Sequence, residues 1–122
     1  VLIKDNHIAV SGGIKNAVAN ARKAIPHTLK IEVEVETKEQ LQEALEAKAD
    51  IIMLDNMGND AMKEAVDVIK AADKGIKTEA SGNMSIPRLK EVAATGVDYI
   101  SVGALTHTVK AMDISMNIQV QK

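Results

Sequence analysis

Cysteine is absent from the 122 residues, phenylalanine and tryptophan are absent too, and tyrosine occurs once. The missing thiols exclude a disulfide framework, a cysteine nucleophile and a cysteine-ligated metal, and they fit a cytoplasmic setting. The missing aromatics exclude base stacking as a recognition device. The core must therefore be built from Ile, Val, Leu, Ala and Met, with the six methionines read as filler. No apolar run approaches the roughly 20 residues of a membrane helix, and no basic and apolar leader stands at the front. Neither charge sign dominates. Fifteen Lys and Arg against 17 Asp and Glu leave a net charge of -2, which excludes a sequence-independent nucleic-acid binder. The remaining composition, 46% hydrophobic and 26% charged, is that of one globular domain. The first residue is Val1, which fits either a removed leader or a piece of a longer chain.

What is present is an alternation of short β-like runs and amphipathic helical patterns. The runs are Leu2 to Lys4, Lys30 to Glu36, Asp50 to Leu54, Ile76 to Ala80 and Val97 to Val102. The first helical pattern places Ile14, Ala17, Val18, Ala21 and Ile25 on one face before Pro26 stops it. A second opens at Thr37, with Gln40 completing a capping box. A third opens near Asn59 and Asp60 and carries Met62, Ala65, Val66 and Ile69. A fourth has Ser85 as N-cap, Pro87 in its first turn and Gly96 as its stop. Strand followed by helix, repeated, predicts parallel strands joined by right-handed crossovers.

Five strands cannot close a barrel, and a complete eight-unit barrel needs about 250 residues. The expected fold is therefore α/β, with residues 1–122 forming part of a barrel; a small open sheet is the other choice. No Gly-x-Gly-x-x-Gly follows the first strand, and Ser11-Gly12-Gly13 reads only as a short loop, so a dinucleotide fold is disfavoured. In parallel α/β proteins the carboxyl edge of the strands carries the site. Glu34, Asp55, Glu79 and Gly103 all read as strand ends, one β/α unit apart.

Ile31 to Glu36 alternates strictly. In a parallel strand covered by helices the Ile and Val side meets the helices, and the three glutamates face a barrel interior. There they need cations or a metal; the competing reading is a solvated face. Asp55 ends an apolar strand, and as an alternative to a site role it caps the next helix, although Asn59 and Asp60 are better placed for that. Glu34 and Asp55, on consecutive strands, are candidate oxygen ligands of Mg2+. Lys4 is either the cation facing that pair or an ordinary surface lysine. His7 reads as a structural hydrogen bonder and His27 as a surface residue. Ser81-Gly82-Asn83 and Val102-Gly103-Ala104 are small-residue turns whose backbone N–H groups suit a phosphate, with His107 as an added donor.

Five segments in order resemble one family. They are Leu2 to His7, Ile31 to Glu36, Ile52 to Asn56, Glu79 to Gly82 and Gly96 to His107, and together they look like the quinolinate phosphoribosyltransferase (nicotinate-nucleotide pyrophosphorylase) family. The resemblance runs from Val1 to about Asn117. It implies an open, TIM-like α/β barrel preceded by an N-terminal α/β sandwich domain that is absent here. It also implies a Mg2+-dependent pentosyl transfer in NAD biosynthesis, and a dimer or larger homo-oligomer. The reaction converts quinolinate and phosphoribosyl pyrophosphate to nicotinate mononucleotide, pyrophosphate and CO2. On this resemblance Lys4 contacts substrate, Glu34 and Asp55 lie near ribose and metal, and Ser81 to Asn83 with Val102 to Ala104 hold phosphate beside His107. Asn83 departs from the family, where many members have a second glycine. The family's arginine-rich motif, which grips the quinolinate carboxylates, has no equivalent; the only arginines are Arg22 and Arg88. The isolated chain is therefore expected to lack enzyme-like turnover. Two alternatives stay open: a relative of the molybdate-transport-linked type, and a non-catalytic half-barrel that binds only phosphate.

Overall fold

The alternation becomes a single six-stranded sheet in the computed structural model, which describes residues 1–82, 84–102 and 107–112, without the side chains of 107–109. Strands β1 (Leu2–Ile3), β2 (Glu32–Val35), β3 (Ile51–Asp55), β4 (Lys77–Ser81), β5 (Tyr99–Val102) and β6 (His107–Lys110) lie across it in sequence order. The first five run parallel, and β6 returns antiparallel to β5. Helices α1 (Asp5–Ser11), α2 (Ile14–Ala24), α3 (Lys38–Glu46), α4 (Asn59–Ala72) and α5 (Ile86–Ala94) occupy the connections. A parallel sheet that never reverses its strand order is an open portion of an α/β barrel, the expected class. No described helix is long and apolar enough to cross a membrane.

Local chemistry sets most of the boundaries. Thr37 caps α3 by accepting from the Gln40 N–H at 3.1 Å, while Gln40 Oε1 accepts from the Glu36 and Thr37 N–H groups. Ser85 caps α5 ahead of Pro87. Gly96 follows α5 at φ 95, the left-handed conformation that glycine adopts without strain. The cap of α4 differs from expectation: Gly58 takes that place, and Asn59 and Asp60 are the first two helical residues.

Two elements are additional to the sequence reading. Residues 5–11, to which the sequence pattern assigned no helix, form α1, which Gly12 terminates at φ 82. None of its residues is buried, and Val10 is 90% exposed, so no apolar stripe announces this helix. Strand β6 is the other, a hairpin partner of β5. It lies beyond the last repeat, where the β/α period no longer applies.

The sheet has two unlike faces. Ile3, Val33, Val35, Ile52, Leu54, Ala80 and Ile100 are buried against Ile14, Val18, Leu41, Met62, Ile69 and Val92 of the helices. The opposite, open face carries Glu32, Glu34, Met53, Asp55, Glu79, Ser81 and Ser101 by strand alternation and register. At the amino edge, aspartates just before β3 and β5 tie neighbouring units together. Asp50 Oδ2 accepts from Arg22 Nη1 and from the Ile31 N–H, each at 2.8 Å, while Arg22 Nη2 donates to the Lys48 carbonyl. Asp98 Oδ2 accepts from the Thr78 N–H at 2.9 Å and from Thr78 Oγ1 at 3.1 Å.

Burial alone would raise the Asp50 pKa, but the Arg22 guanidinium and the Ile31 N–H outweigh it, and the net shift is downward. A depressed carboxylate pKa supplies stability above the ordinary carboxylate range and loses it as pH falls through the folded value. Asp50→Ala leaves the N–H of fully buried Ile31 without its acceptor. The expected loss is about 1–3 kcal/mol in urea unfolding near pH 7. A loss below about 0.5 kcal/mol, the range of neutral surface changes, contradicts the staple.

Candidate active site

Strand register brings the carboxylates of the open face together. Glu34 on β2 pairs with Met53 on β3, which pairs with Glu79 on β4. Two residues further along β3, Asp55 ends the strand opposite Ser81. Lys4 follows β1 and stands next in register to Ile3–Val33, beside Glu34. Lys4, Glu34, Asp55, Ser81 and Gly82 thus converge at the carboxyl edge. Glu34 has its pKa raised, by burial first and then by the facing Asp55 carboxylate, against the lowering influence of Lys4. Asp55 does not cap α4; Gly58 does.

Two sequence readings are corrected, Glu79 as a strand end and Glu36 as one of three interior glutamates. Glu79 sits in the middle of β4, buried, and Ser81 is that strand's last residue. Glu36 lies past the end of β2 and is exposed, so the interior row holds Glu32 and Glu34 only. Its pKa is nonetheless raised, chiefly by the charge of Asp5 at the same rim. Beneath the edge, Ser101 Oγ donates to Glu79 Oε2 at 2.5 Å, and Glu32 faces Glu79 across β3. Glu32 holds its proton up to about 7, through burial first and through the Glu79 charge second. Sequence reasoning read Glu79 as a strand end and gave neither it nor Ser101 a role in the site. The signal was the period of two that sets Lys77, Glu79 and Ser81 on one face of β4 and Tyr99 and Ser101 on the same face of β5.

The phosphate-loop candidates divide. Ser81 and Gly82 are half-buried at the edge, and Gly82 has φ 131. A Cβ there would stand 2.9 Å from Asn56 Oδ1, so only glycine lets the two loops approach this closely. Asn56, itself left-handed at φ 53, donates its N–H to the Ser81 carbonyl at 3.1 Å and reaches Asp55 Oδ2 through Nδ2 at 3.4 Å. Val102 ends β5 with its side chain partly buried against the core, leaving only its backbone for a ligand. Asn83, Gly103 and Ala104 lie outside the described residues; His107 opens β6 opposite Val102, and its side chain is not among those described. His7 Nδ1 accepts from the Lys4 N–H at 3.2 Å, a structural role, and His27 is exposed. No group of three or more His, Asp or Glu placed to hold a metal occurs among the described residues. The donor set at the edge is a facing pair of carboxylates, which suits Mg2+ completed by water and phosphate oxygens.

Parallel β/α units with paired carboxylates and a glycine loop at the carboxyl edge define an α/β-barrel domain with a polar edge site. The chain belongs to the quinolinate phosphoribosyl transferase family: residues 1–117 match the model of that family's C-terminal domain. It is 49% identical over 118 residues to the probable nicotinate-nucleotide pyrophosphorylase (carboxylating) of Bacillus subtilis, covering 97% of this chain and 40% of that protein. The human nicotinate-nucleotide pyrophosphorylase (carboxylating) is 36% identical over the same length. The nicotinate-nucleotide pyrophosphorylase structure from Francisella tularensis superposes with TM-score 0.77 at 43% identity, over 89% of this chain and 38% of that one. The Ehrlichia chaffeensis enzyme gives TM-score 0.77 at 40% identity, over 88% and 38%. The chain thus spans about two fifths of the length of these relatives.

Two titrations check the geometry. Because the raised pKa of Glu32 means that the folded chain binds the proton more tightly, stability is fully present below the ordinary carboxylate value of 4.5 and falls as pH rises toward 7. Urea unfolding should show lower stability at pH 8 than at pH 5, and Glu32→Gln should flatten that slope; an unchanged slope contradicts the buried pair. Asp55→Asn removes the neighbouring charge, so Glu34 should titrate at lower pH by side-chain carboxyl 13C shifts, whereas Lys4→Met should move it higher. A Glu34 titration indifferent to both means that the three side chains do not meet.

Proposed function

We propose that residues 1–122 are the phosphoribosyl-binding part of a quinolinate phosphoribosyltransferase. The whole protein makes nicotinate mononucleotide, pyrophosphate and CO2 from quinolinate and phosphoribosyl pyrophosphate. The observation that carries this reading is the convergence of Lys4, Glu34 and Asp55 beside the Ser81–Gly82 turn. Family membership and the names of the relatives favour it over a barrel serving another substrate.

The chemistry suits these residues. When pyrophosphate leaves the anomeric carbon, positive charge develops on the ribose, and carboxylates at Glu34 and Asp55 stabilise it. Lys4 offsets charge on the leaving oxygens. The backbone at Ser81 and Gly82, which precedes the Ser85 cap of α5, suits the 5-phosphate. Glu34 and Asp55 would hold Mg2+, which when bound neutralises diphosphate charge. Neither arginine is available for the quinolinate carboxylates. Arg22 is held by Asp50 and the Lys48 carbonyl, and Arg88 by the Met57 carbonyl. We assign the carboxylate-binding arginines to a preceding domain of the longer protein, which acts as a homo-oligomer in the cytoplasm.

The test is isothermal titration of the chain with phosphoribosyl pyrophosphate, with and without Mg2+. Weak binding strengthened by Mg2+ is expected, without turnover of quinolinate. Asp55→Asn should remove most of the Mg2+ effect, about tenfold or more, while sparing inorganic phosphate. Equal Mg2+ dependence in parent and variant contradicts the metal assignment.

A further inference from the structure

Asp55 and Ser81–Gly82 come from different β/α units, yet a phosphoribosyl site needs them fixed relative to each other. What fixes them is a set of contacts that spans the two loops. On one side the Asn56 N–H meets the Ser81 carbonyl, and Gly82 packs against the Asn56 side chain. On the other side the first turns of α5 reach back over the start of α4. Arg88 Nη2 donates to the Met57 carbonyl at 2.8 Å, and one turn later Glu91 Oε2 accepts from Asn59 Nδ2 at 2.6 Å. These two contacts grip the chain on either side of Gly58, the cap of α4.

Arg88 is more than a surface residue leaning on a loop. Its own N–H is engaged by the Ser85 cap at 3.4 Å, its Nε is buried without a hydrogen-bond partner, and the Asn59 Oδ1 close along the gripped segment is likewise buried and unpaired. The Nε edge of this half-buried guanidinium has given up solvent, while Nη2 takes the Met57 carbonyl, so truncating the side chain removes a bond that its partial burial depends on. The carbonyl it takes belongs to the residue after Asn56, whose backbone is left-handed and whose N–H donates to the Ser81 carbonyl.

We propose that Arg88 is a positioning residue that locks the carboxylate loop, Asp55 to Met57, to the phosphate turn, Ser81 and Gly82, so that metal and phosphate affinity rise and fall together. The inference rests on the reading of these two loops as parts of one phosphoribosyl site. Arg88 touches neither ligand. It acts through the Met57 carbonyl, and α5 transmits any change in that contact to the turn immediately before it. A lysine can still donate to the carbonyl, although it lacks the planar fork. A methionine keeps the apolar stem and loses the bond.

The experiment titrates the chain with phosphoribosyl pyrophosphate, with and without Mg2+, in the parent, Arg88→Met, Arg88→Lys, Glu91→Ala and Asp55→Asn. Arg88→Met is expected to weaken Mg2+-assisted binding about tenfold, Arg88→Lys to stay within about threefold of the parent, and Glu91→Ala, on an exposed helical position, to lose about threefold. Amide hydrogen exchange should accelerate jointly at residues 56–58 and 81–82 in Arg88→Met, with the amino edge at Ile31 and Asp98 unchanged. Should Arg88→Met fail to fold, Glu91→Ala carries the same two readouts. Arg88→Met and Glu91→Ala binding like the parent, while Asp55→Asn still loses its Mg2+ effect, overturns this inference alone. A folded parent chain that binds no phosphoribosyl pyrophosphate overturns the site reading and this inference with it.

Discussion

Repulsion among carboxylates on the open face of the sheet is the constraint around which the rest of this chain is arranged. A parallel sheet with helices on one side only must place its non-core residues on the other, and here those residues include Glu32, Glu34, Asp55 and Glu79. Each is offset differently. The Glu32–Glu79 pair is relieved by a proton retained up to about 7 and by the Ser101 hydroxyl. Glu34 and Asp55, nearer the rim, have the Lys4 ammonium beside them and the Asn56 amide on Asp55, yet burial and the Asp55 charge keep the Glu34 pKa raised. An edge short of positive charge is one that favours a cation, and the proposed function makes use of that imbalance.

The opposite edge shows what full compensation looks like. Asp50 has an arginine and a backbone N–H for one oxygen, and its pKa falls below the usual carboxylate range in spite of burial. Asp98 binds both polar groups of Thr78. These aspartates join successive β/α units at their starts, leaving the loops at the other ends free to carry function. The same division of labour, stability at the amino edge and chemistry at the carboxyl edge, is the rule for barrels.

Much of this was legible in the sequence because it depends on period. Strands β2 to β5, helices α2 to α5 and the capping of α3 and α5 follow from alternation, 3.6-residue spacing and local cap chemistry. Helix α1 was not legible, since its residues make no apolar stripe, and β6 was not, since it follows the last repeat. At the site, Lys4, Glu34 and Asp55 were readable as polar residues at the ends of apolar strands. Glu79 was read as a strand end although the strand runs two residues further, to Ser81, because the run from Ile76 shows no charged boundary on its carboxyl side. The contacts of Asn56 with Gly82, and of Arg88 with Met57, join residues 26 and 31 apart in the chain. No local pattern encodes such pairs; they appear only once two β/α units are packed side by side.

The central claim of the proposal is that one site holds a cation at Glu34 and Asp55, a diphosphate beside Lys4 and a 5-phosphate at the Ser81–Gly82 turn. The direct measurement is paramagnetic broadening by Mn2+, in place of Mg2+, of 13C and amide resonances in the presence of phosphoribosyl pyrophosphate. Selective loss of the Glu34 and Asp55 carboxyl signals, together with the Ser81 and Gly82 amides, is the predicted result. Broadening confined to exposed acids such as Glu36 and Glu39, with Glu34 and Asp55 left sharp, would contradict it.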